Sequence, residues 1–170
     1  MRTHKSHRIA TIVAALLALL ASAAVPQAAA AGADPVEEYL AKYPGGVRIN
    51  ATEISYGGGI FVVTVTRGTG VQASPDCPSG WFCFYEDINY GYPRGKLSSC
   101  GWQDLAWWSW HDRTESVHYN LSTGSVSFLN HAPGTSHAND THLFDVSTSL
   151  PTRPDVSPYR NMADHVYRFC

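Results

Sequence analysis

The chain has little net charge and no run of basic residues. Its 170 residues contain 12 Lys and Arg against 14 Asp and Glu, which gives a formal net charge of −2 at pH 7. A surface that binds nucleic acid or anionic lipid needs clustered positive charge. We therefore expect no nucleic-acid partner, and no membrane partner once a leader segment has been removed.

The compact sequence motifs of common enzymes are also missing. The chain has no Gly-x-Ser-x-Gly elbow, no His-Glu-x-x-His helix and no glycine loop of the kind that cradles phosphate. A catalytic triad that assembles only in space would leave no such motif. We interpret the chain as a protein that is not an enzyme, with no catalytic residues.

Only one long apolar run is present, and it lies at the N-terminus. Basic residues at positions 2, 5 and 8 precede an apolar segment over 9–20, and an alanine-rich run to residue 33 offers small-x-small cleavage sites. The run is too short for a membrane span. We predict a signal peptide over 1–33 and a secreted, extracellular protein; a retained N-terminal anchor is the alternative.

Cysteines are few, and all four follow the predicted signal peptide: Cys77, Cys83, Cys100 and Cys170. An even number of cysteines in an oxidising compartment favours two disulfide bonds over free thiols. Three pairings are possible, and we favour Cys77 with Cys83 and Cys100 with Cys170. A zinc site is the weaker interpretation, because the short paired steps of a tetrahedral zinc site are missing.

Residues 34–76, here called the preface, predict a helix followed by a β-hairpin. Asp34, Pro35 and Glu37 supply an N-cap, a proline in the first turn and a capping-box carboxylate for a helix through residue 43. The segments 47–56 and 60–66 flank three glycines and carry β-branched residues. Such a unit is too small to be stable alone. It docks on the rest of the chain or is a removable pro-segment, with a boundary in 67–76.

Residues 77–170 carry an internal repeat and little helical pattern. Residues 84–87 align with 128–131, and 111–117 align with 160–166. Two copies of a unit that cannot bury its apolar face alone would stack into one sandwich. We therefore predict an all-β domain over 77–170, built from short strands broken by Gly, Pro, Asn and Asp.

The first copy contains a distinctive aromatic pattern. Tyr85 and Tyr90 are five residues apart, and Gly91 follows them. We expect the strand to fold sharply into a hairpin in which the glycine supplies a positive φ. The polar residues of 111–117 then provide a turn before the next strand.

These features resemble a known family, the secreted peptidase inhibitors typified by the streptomycete metalloproteinase inhibitor, a branch of the βγ-crystallin superfamily. The resemblance rests on the Cys77–Cys83 opening, the aromatic-x4-aromatic-Gly pattern in 84–91, the Cys-Gly-Trp step at 100–102, and residues 110–117. It implies a sandwich of two Greek-key motifs. It also implies that the Tyr85 ring covers the folded hairpin and that the Ser116 hydroxyl holds the hairpin in place by hydrogen bonds. Asp112 belongs to the same family sequence signature.

The resemblance further implies an activity and a partner. The founding activity of the family is the inhibition of secreted zinc peptidases of the thermolysin type, so we expect a monomer whose partner is such an enzyme. The chain matches no inhibitory bond that can be transferred from the family. The loops that we would test are 130–141 and 147–159, because Pro151, Pro154 and Pro158 restrict the backbone of the second loop.

Calcium binding is a further expectation from the superfamily, but the signature is broken. Calcium-binding members use Asn/Asp-Asn/Asp-x-x-Ser/Thr-Ser. His111 and Glu115 depart from this signature in the first copy, and Arg160, Asp164 and His165 depart from it in the second. Hard cations need several oxygen ligands. The candidates for a weak site are Asp112, Glu115, Asn161 and Asp164. We expect no cofactor except weak calcium, and the alternative function is a non-inhibitory extracellular structural or calcium-binding module.

Two groups of aromatic and imidazole side chains allow a second interpretation. Four tryptophans could form a carbohydrate platform, but packing in the core or at its rim is favoured in so small a domain: Trp102, Trp107, Trp108 and Trp110. His131, His137 and His142 could bind zinc or copper. Their spacing matches no helix or hairpin that would bring them together, which favours an ordinary exposed loop.

Overall fold

The structure is a computed structural model, and it describes residues 32–67, 74–132 and 137–170. The predicted signal peptide lies outside these residues except at its end. The unit that the described residues build extends over Gly32–Cys170. Within the described ranges, no helix combines the length and the apolar character needed to cross a bilayer.

Short strands dominate the described residues, as the repeat and the turn residues predict. One α-helix, α1 (Pro35–Lys42), precedes eleven strands: β1 (Val47–Arg48), β2 (Glu53–Tyr56), β3 (Phe61–Thr64), β4 (Trp81–Asp87), β5 (Gly91–Leu97), β6 (Gly101–Asp104), β7 (Ser116–Asn120), β8 (Ser125–Asn130), β9 (Thr141–Ser147), β10 (Thr152–Arg153) and β11 (His165–Phe169). The prediction of an all-β chain with a small helical preface is confirmed.

The strands form two antiparallel sheets with an exchange between them. The first sheet has the order β1-β2-β3-β5-β4-β7-β10, and the second has the order β6-β11-β8-β9. Strands β4–β7 make one four-stranded motif and β8–β11 make another. The third strand of each motif, β6 or β10, pairs in the sheet of the other motif. Three strands of each motif lie in one sheet, and the fourth sheet position is filled by a strand of the other motif. This is the arrangement of two Greek-key motifs that the resemblance implies.

The two motifs are related residue by residue, as the alignment of 111–117 with 160–166 predicts. Asp112 and Asn161, which are equivalent, both have φ of 54°. The Asp112 N–H donates to the Ala163 carbonyl at 3.1 Å, and the Asn161 N–H donates to the Thr114 carbonyl at 3.0 Å. Each turn thus binds the backbone of its counterpart, which locks the two copies together.

The preface is docked on the first sheet. Strand β3 pairs antiparallel with β5, so that the preface hairpin extends the sheet of the first motif. Phe61 of β3 is fully buried and stacks on Phe84 with ring centroids 5.8 Å apart. Arg113 anchors α1, because its guanidinium donates to the Tyr39 hydroxyl at 3.0 Å and lies 3.8 Å from the centre of the Tyr43 ring. The preface and the sandwich therefore share one core.

The first predicted strand of the preface differs from the structure. A single strand over 47–56 is wrong, because the chain forms β1 and β2 with a turn between them. The Asn50 side chain accepts the backbone N–H groups of Thr52 and Glu53 at 2.8 and 2.9 Å. Asparagine side chains can bond to the nearby backbone in place of the hydrogen bonds of a strand ladder. Because Asn50 does so here, the predicted strand over 47–56 is interrupted by a turn.

Both disulfide bonds have the favoured pairing. Cys77 is bonded to Cys83 across six residues, and Cys100 is bonded to Cys170 across seventy. The first bond closes the entrance to β4, and the second ties the end of the chain to the start of β6. The zinc alternative for these cysteines is excluded, since all four are disulfide-bonded.

Candidate functional site

The aromatic hairpin after β4 is held by one buried hydroxyl. Ser116 at the start of β7 donates its hydroxyl hydrogen to the Asp87 carbonyl at 2.7 Å and accepts the Tyr90 N–H at 3.0 Å. The Tyr85 ring is fully buried and meets the Tyr90 ring edge-on at 5.5 Å. Because these contacts join both sides of the turn, the hairpin is a fixed platform beside the neighbouring loops.

The backbone of this hairpin corrects one expectation. Gly91 does not supply the positive φ, because its φ is −73° and it begins β5 in extended conformation. The positive values belong to Asn89 and Tyr90, at 55° and 62°. Asparagine tolerates the left-handed region, and the Ser116 bond holds the tyrosine there.

Asp76 organises a polar cluster that the sequence patterns did not indicate. Its carboxylate accepts the Tyr85 hydroxyl at 2.9 Å and the Tyr92 hydroxyl, and it forms ion pairs with Arg94 at 3.1 Å and Arg67 at 3.2 Å. Burial alone would raise the pKa of Asp76, but the hydrogen bonds and the arginine charges lower it. This cluster fixes the segment that leads from the preface into β4.

Residues 147–159, here called the proline loop, are pinned at several points. The Pro151 carbonyl accepts the Tyr119 N–H at 2.7 Å, and the Pro154 carbonyl accepts the Asn89 N–H at 2.7 Å. Strand β10 within the loop pairs with β7. The loop is therefore fastened to the first motif, including the tip of the aromatic hairpin.

The exposed start of the proline loop is a closed turn. The Ser147 and Leu150 backbones exchange two hydrogen bonds, at 3.1 and 3.2 Å. Leu150 exposes 46% of its surface at the end of this turn, immediately before Pro151. Further along, the Arg160 guanidinium holds the pKa of Asp155 down at about 2. The turn thus presents an apolar side chain from a backbone that neighbouring residues already fix.

The other predicted loop, 130–141, is described only in part, because residues 133–136 lie outside the described residues. Its first end is tied down, since the His131 N–H donates to the Asp164 carboxylate at 2.9 Å. Its second end carries a short helical turn over His137–Asn139. No inhibitory residue is assigned in this loop.

The four tryptophans divide between core and surface. Trp108 and Trp110 are buried, which agrees with the prediction of core packing. Trp107 is 61% exposed, and its ring meets that of the half-buried Trp102 edge-on at 5.7 Å. Edge-on packing leaves these two rings without the shared flat face of a stacking platform.

Two of the calcium candidates, Glu115 and Asn161, form a pair that joins the two motifs. The Asn161 amide donates to the Glu115 carboxylate at 2.6 Å. Burial, followed by the negative charge of Asp164, raises the pKa of Asp112. Asp164 already accepts the His131 N–H. Several of the oxygens that calcium would need are therefore engaged within the protein.

Histidines meet in a different combination from the one considered in the sequence. His142 is exposed and pairs with Asp145 at 2.9 Å, while His137 packs on the Trp102 ring at 4.7 Å. Only His131 of the three loop histidines joins the histidine cluster, which we define as Asp104, His111, His131, Asp140 and His165. Within the described residues, its members make two groups with metal-ligand geometry, Asp104–His111–His165 and His131–Asp140–His165.

Sequence reasoning missed His165 and the two aspartates of this cluster. Their spacing along the chain carries no signal, because the cluster forms only when β6 pairs with β11 and Asp140 bonds to His131 and His165. The alignment of 111–117 with 160–166 places His165 at the start of a strand. That placement alone could not indicate its neighbours.

Comparison with known proteins identifies the first motif. The model of peptidase inhibitor family I36 matches residues 71–133, a segment that contains β4 to β8 and less than half of the chain. This segment is similar to peptidase inhibitor family I36. The resemblance recognised in the sequence is therefore confirmed for residues 71–133, here called the inhibitor-family segment. Most of the second Greek-key motif lies outside this segment.

A solved structure and a search of curated proteins complete the comparison. A mutant of a betagamma-crystallin domain from Clostridium beijerinckii matches with 21% sequence identity and a TM-score of 0.41. The match covers 52% of this chain and 97% of that domain. No curated protein matches the chain.

Proposed function

We propose that the protein is a secreted, monomeric inhibitor of extracellular zinc peptidases of the thermolysin type, and that it is not itself an enzyme. The observation that carries this proposal is the match of the inhibitor-family segment to peptidase inhibitor family I36. The class of the target rests on the resemblance seen in the sequence.

The inhibitory surface that we propose is the proline loop. An inhibitor that is already fixed in its bound shape loses little conformational entropy when it docks. Strand pairing and the two hydrogen bonds to Pro151 and Pro154 supply that fixation here. Leu150 is the apolar group that would enter the cleft of the enzyme.

Titration of a thermolysin-like enzyme with the purified protein tests both parts of the proposal. Leu150→Ala should weaken inhibition at least about fivefold, because truncation of a central apolar anchor costs more than about 1 kcal/mol. Ile60→Ala is the matched control, since Ile60 is 48% exposed on the preface hairpin, away from the proline loop.

The outcomes separate the two parts. If the wild-type protein inhibits and Leu150→Ala inhibits equally well, the proline loop is the wrong surface while the activity stands. If the wild-type protein leaves zinc peptidases fully active at micromolar concentration, the proposed target class is wrong.

The second candidate is the non-inhibitory calcium-binding module. It is favoured by the carboxylate and amide pair that joins the two motifs, Glu115 with Asn161. A ligand that binds only the native state raises its melting temperature. An increase in melting temperature at millimolar calcium, together with an absence of inhibition, would favour this function over the first.

A further inference from the structure

The outer side of the second sheet carries an imidazole and carboxylate cluster that peptidase inhibition does not use. Asp104 of β6 and His165 of β11 are directly opposite each other in the strand pairing. His111 reaches the same aspartate from the turn after β6, with its Nε2 atom 2.7 Å from the Asp104 carboxylate. The His165 Nε2 atom is 3.9 Å from the same oxygen. The three ligand atoms of this group lie within 4.8 Å of one another.

Both rings are held so that the Nε2 atoms face Asp104. The Nδ1 atom of His165 is hydrogen-bonded to the Asp140 carboxylate. The Nδ1 atom of His111 faces the Asp164 carboxylate at 3.4 Å. Histidines that bind metals almost always donate the other ring N–H to a carboxylate, a carbonyl or water, which sets the tautomer and the ring direction. Two such pairs converge here on one aspartate.

The charge balance of the cluster favours a bound cation. The ion pairs that the structure gives Asp104, Asp140 and Asp164 in the described ranges are all with histidines. The side chains of Asp140 and Asp164 are only 2% and 10% exposed. With neutral imidazoles, three negative charges would remain, two of them on the nearly buried Asp140 and Asp164, and buried charges need compensation.

Access and spacing suit a small divalent ion. Asp104 is 23% exposed and His111 is 36% exposed, whereas His165 is 3% exposed. An ion could therefore enter from the side of His111, with a water molecule as its fourth ligand. Tetrahedral zinc with ligands at 2.0–2.1 Å places neighbouring ligand atoms about 3.3 Å apart. The two distances to Asp104, 2.7 and 3.9 Å, lie on either side of that value.

We propose that Asp104, His111 and His165 bind one divalent transition-metal ion of the zinc type, and that Asp140 and Asp164 orient the two imidazoles. Two imidazoles and one carboxylate, with an open fourth position, are a common ligand set for zinc. This site is independent of the inhibitory loop, so its test does not depend on inhibition.

The second group in the cluster is less suited to a metal. His131 and His165 both turn Nδ1 toward Asp140, which also lies 3.5 Å from the Trp102 indole N–H. A metal in this group would replace the bonds that orient His165, whereas a metal at Asp104 would retain them.

Calorimetric titration of the untagged protein with Zn²⁺ tests the site. The wild-type protein should bind one ion. His111→Ala should weaken binding at least about tenfold, and Asp140→Asn should weaken it about 10–100-fold, the usual effect of losing a carboxylate behind a ligand. His142→Ala is the matched control, because His142 is an exposed histidine paired with a different aspartate, and it should bind zinc like the wild-type protein.

Three results would overturn the assignment. The first is an absence of zinc binding by the wild-type protein at micromolar zinc, and the second is unchanged zinc binding by a folded His111→Ala variant. The third is a loss of zinc binding in His131→Ala while His111→Ala still binds zinc. Imidazole ¹⁵N NMR of the wild-type protein adds a test that needs no variant. Zinc should shift the Nε2 resonances of His111 and His165, and a shift confined to Nδ1 would assign the ion to the other group.

Discussion

At the scale of single residues, the buried Ser116 and the half-buried Asp76 hold two turns of the sandwich. Ser116 satisfies the backbone on both sides of the aromatic hairpin, and Asp76 gathers two tyrosine hydroxyls and two arginines at the entrance to β4. A buried polar group whose partner is removed costs about 1–3 kcal/mol. These two side chains therefore contribute to the rigidity of the aromatic hairpin and of the segment that leads into β4.

Asp76 should make the stability of the protein fall in acid. Its pKa is lowered in the folded state by Tyr92, Tyr85 and the two arginines, while in the unfolded chain it lies near the usual value of about 3.9. A lowered folded pKa means that the contribution is present above about pH 4 and is lost as the pH falls through the folded value. Denaturant unfolding at pH 7 and at pH 2.5 measures this loss.

The variant Asp76→Asn isolates the contribution. It should be less stable than the wild-type protein at pH 7, and the difference should shrink at pH 2.5, because the pH has then fallen toward the lowered folded pKa of the wild-type carboxylate. A difference that stays constant over this range would show that the charge of Asp76 does not stabilise the fold.

At the scale of elements, the preface hairpin is part of the first sheet. Strand β3 pairs with β5, and Ile54 of β2 is fully buried in the main core with Phe61 and Val63. A removable pro-segment would leave β5 without a neighbour on that side, and would expose the aromatic rings under β3. The preface therefore contributes to the stability of the whole domain.

Ile54→Ala should destabilise the entire chain. Truncation of a buried isoleucine costs about 2–5 kcal/mol, and because the core is shared, the loss should appear in a single unfolding transition. Ile49→Ala is the control, since Ile49 is 54% exposed in the same preface, and it should change stability by less than about 0.5 kcal/mol. A separate early transition for the preface, with the rest unchanged, would contradict a shared core.

Much of this arrangement could be predicted from the sequence, and the remainder has physical causes. The repeat offsets placed β7 and β11 correctly, because turn residues and a buried valine recur in both copies. The position of the positive φ was missed, since Asn89 and Tyr90 adopt it only when Ser116 binds the turn. The histidine cluster was missed for a similar reason: its members belong to separate segments that only strand pairing brings together.

At the scale of the whole molecule, two cross-links and an exchange of strands close the sandwich. Each motif contributes its third strand to the sheet of the other, and the Cys100–Cys170 bond ties the last residue to β6. Neither motif can separate from the other without breaking the strand pairing of both sheets. The loops at the surface are therefore carried by a body that unfolds as one piece.

Loss of the long disulfide should weaken this body strongly. In the loop-entropy picture, a cross-link across 70 residues stabilises the native state by about 4 kcal/mol. The double variant Cys100→Ser with Cys170→Ser should lose about this amount in denaturant unfolding, because its unfolded state is less restricted. A loss below about 1 kcal/mol would mean that the strand exchange alone closes the sandwich.

The proposed function depends on all three scales, since a rigid body would present the proline loop to the peptidase that we propose as its partner. Stoichiometric titration of a thermolysin-like zinc peptidase with the purified wild-type protein tests it most directly. We predict that activity falls linearly and reaches its minimum at one inhibitor per enzyme. Full activity in the presence of excess protein would contradict the account.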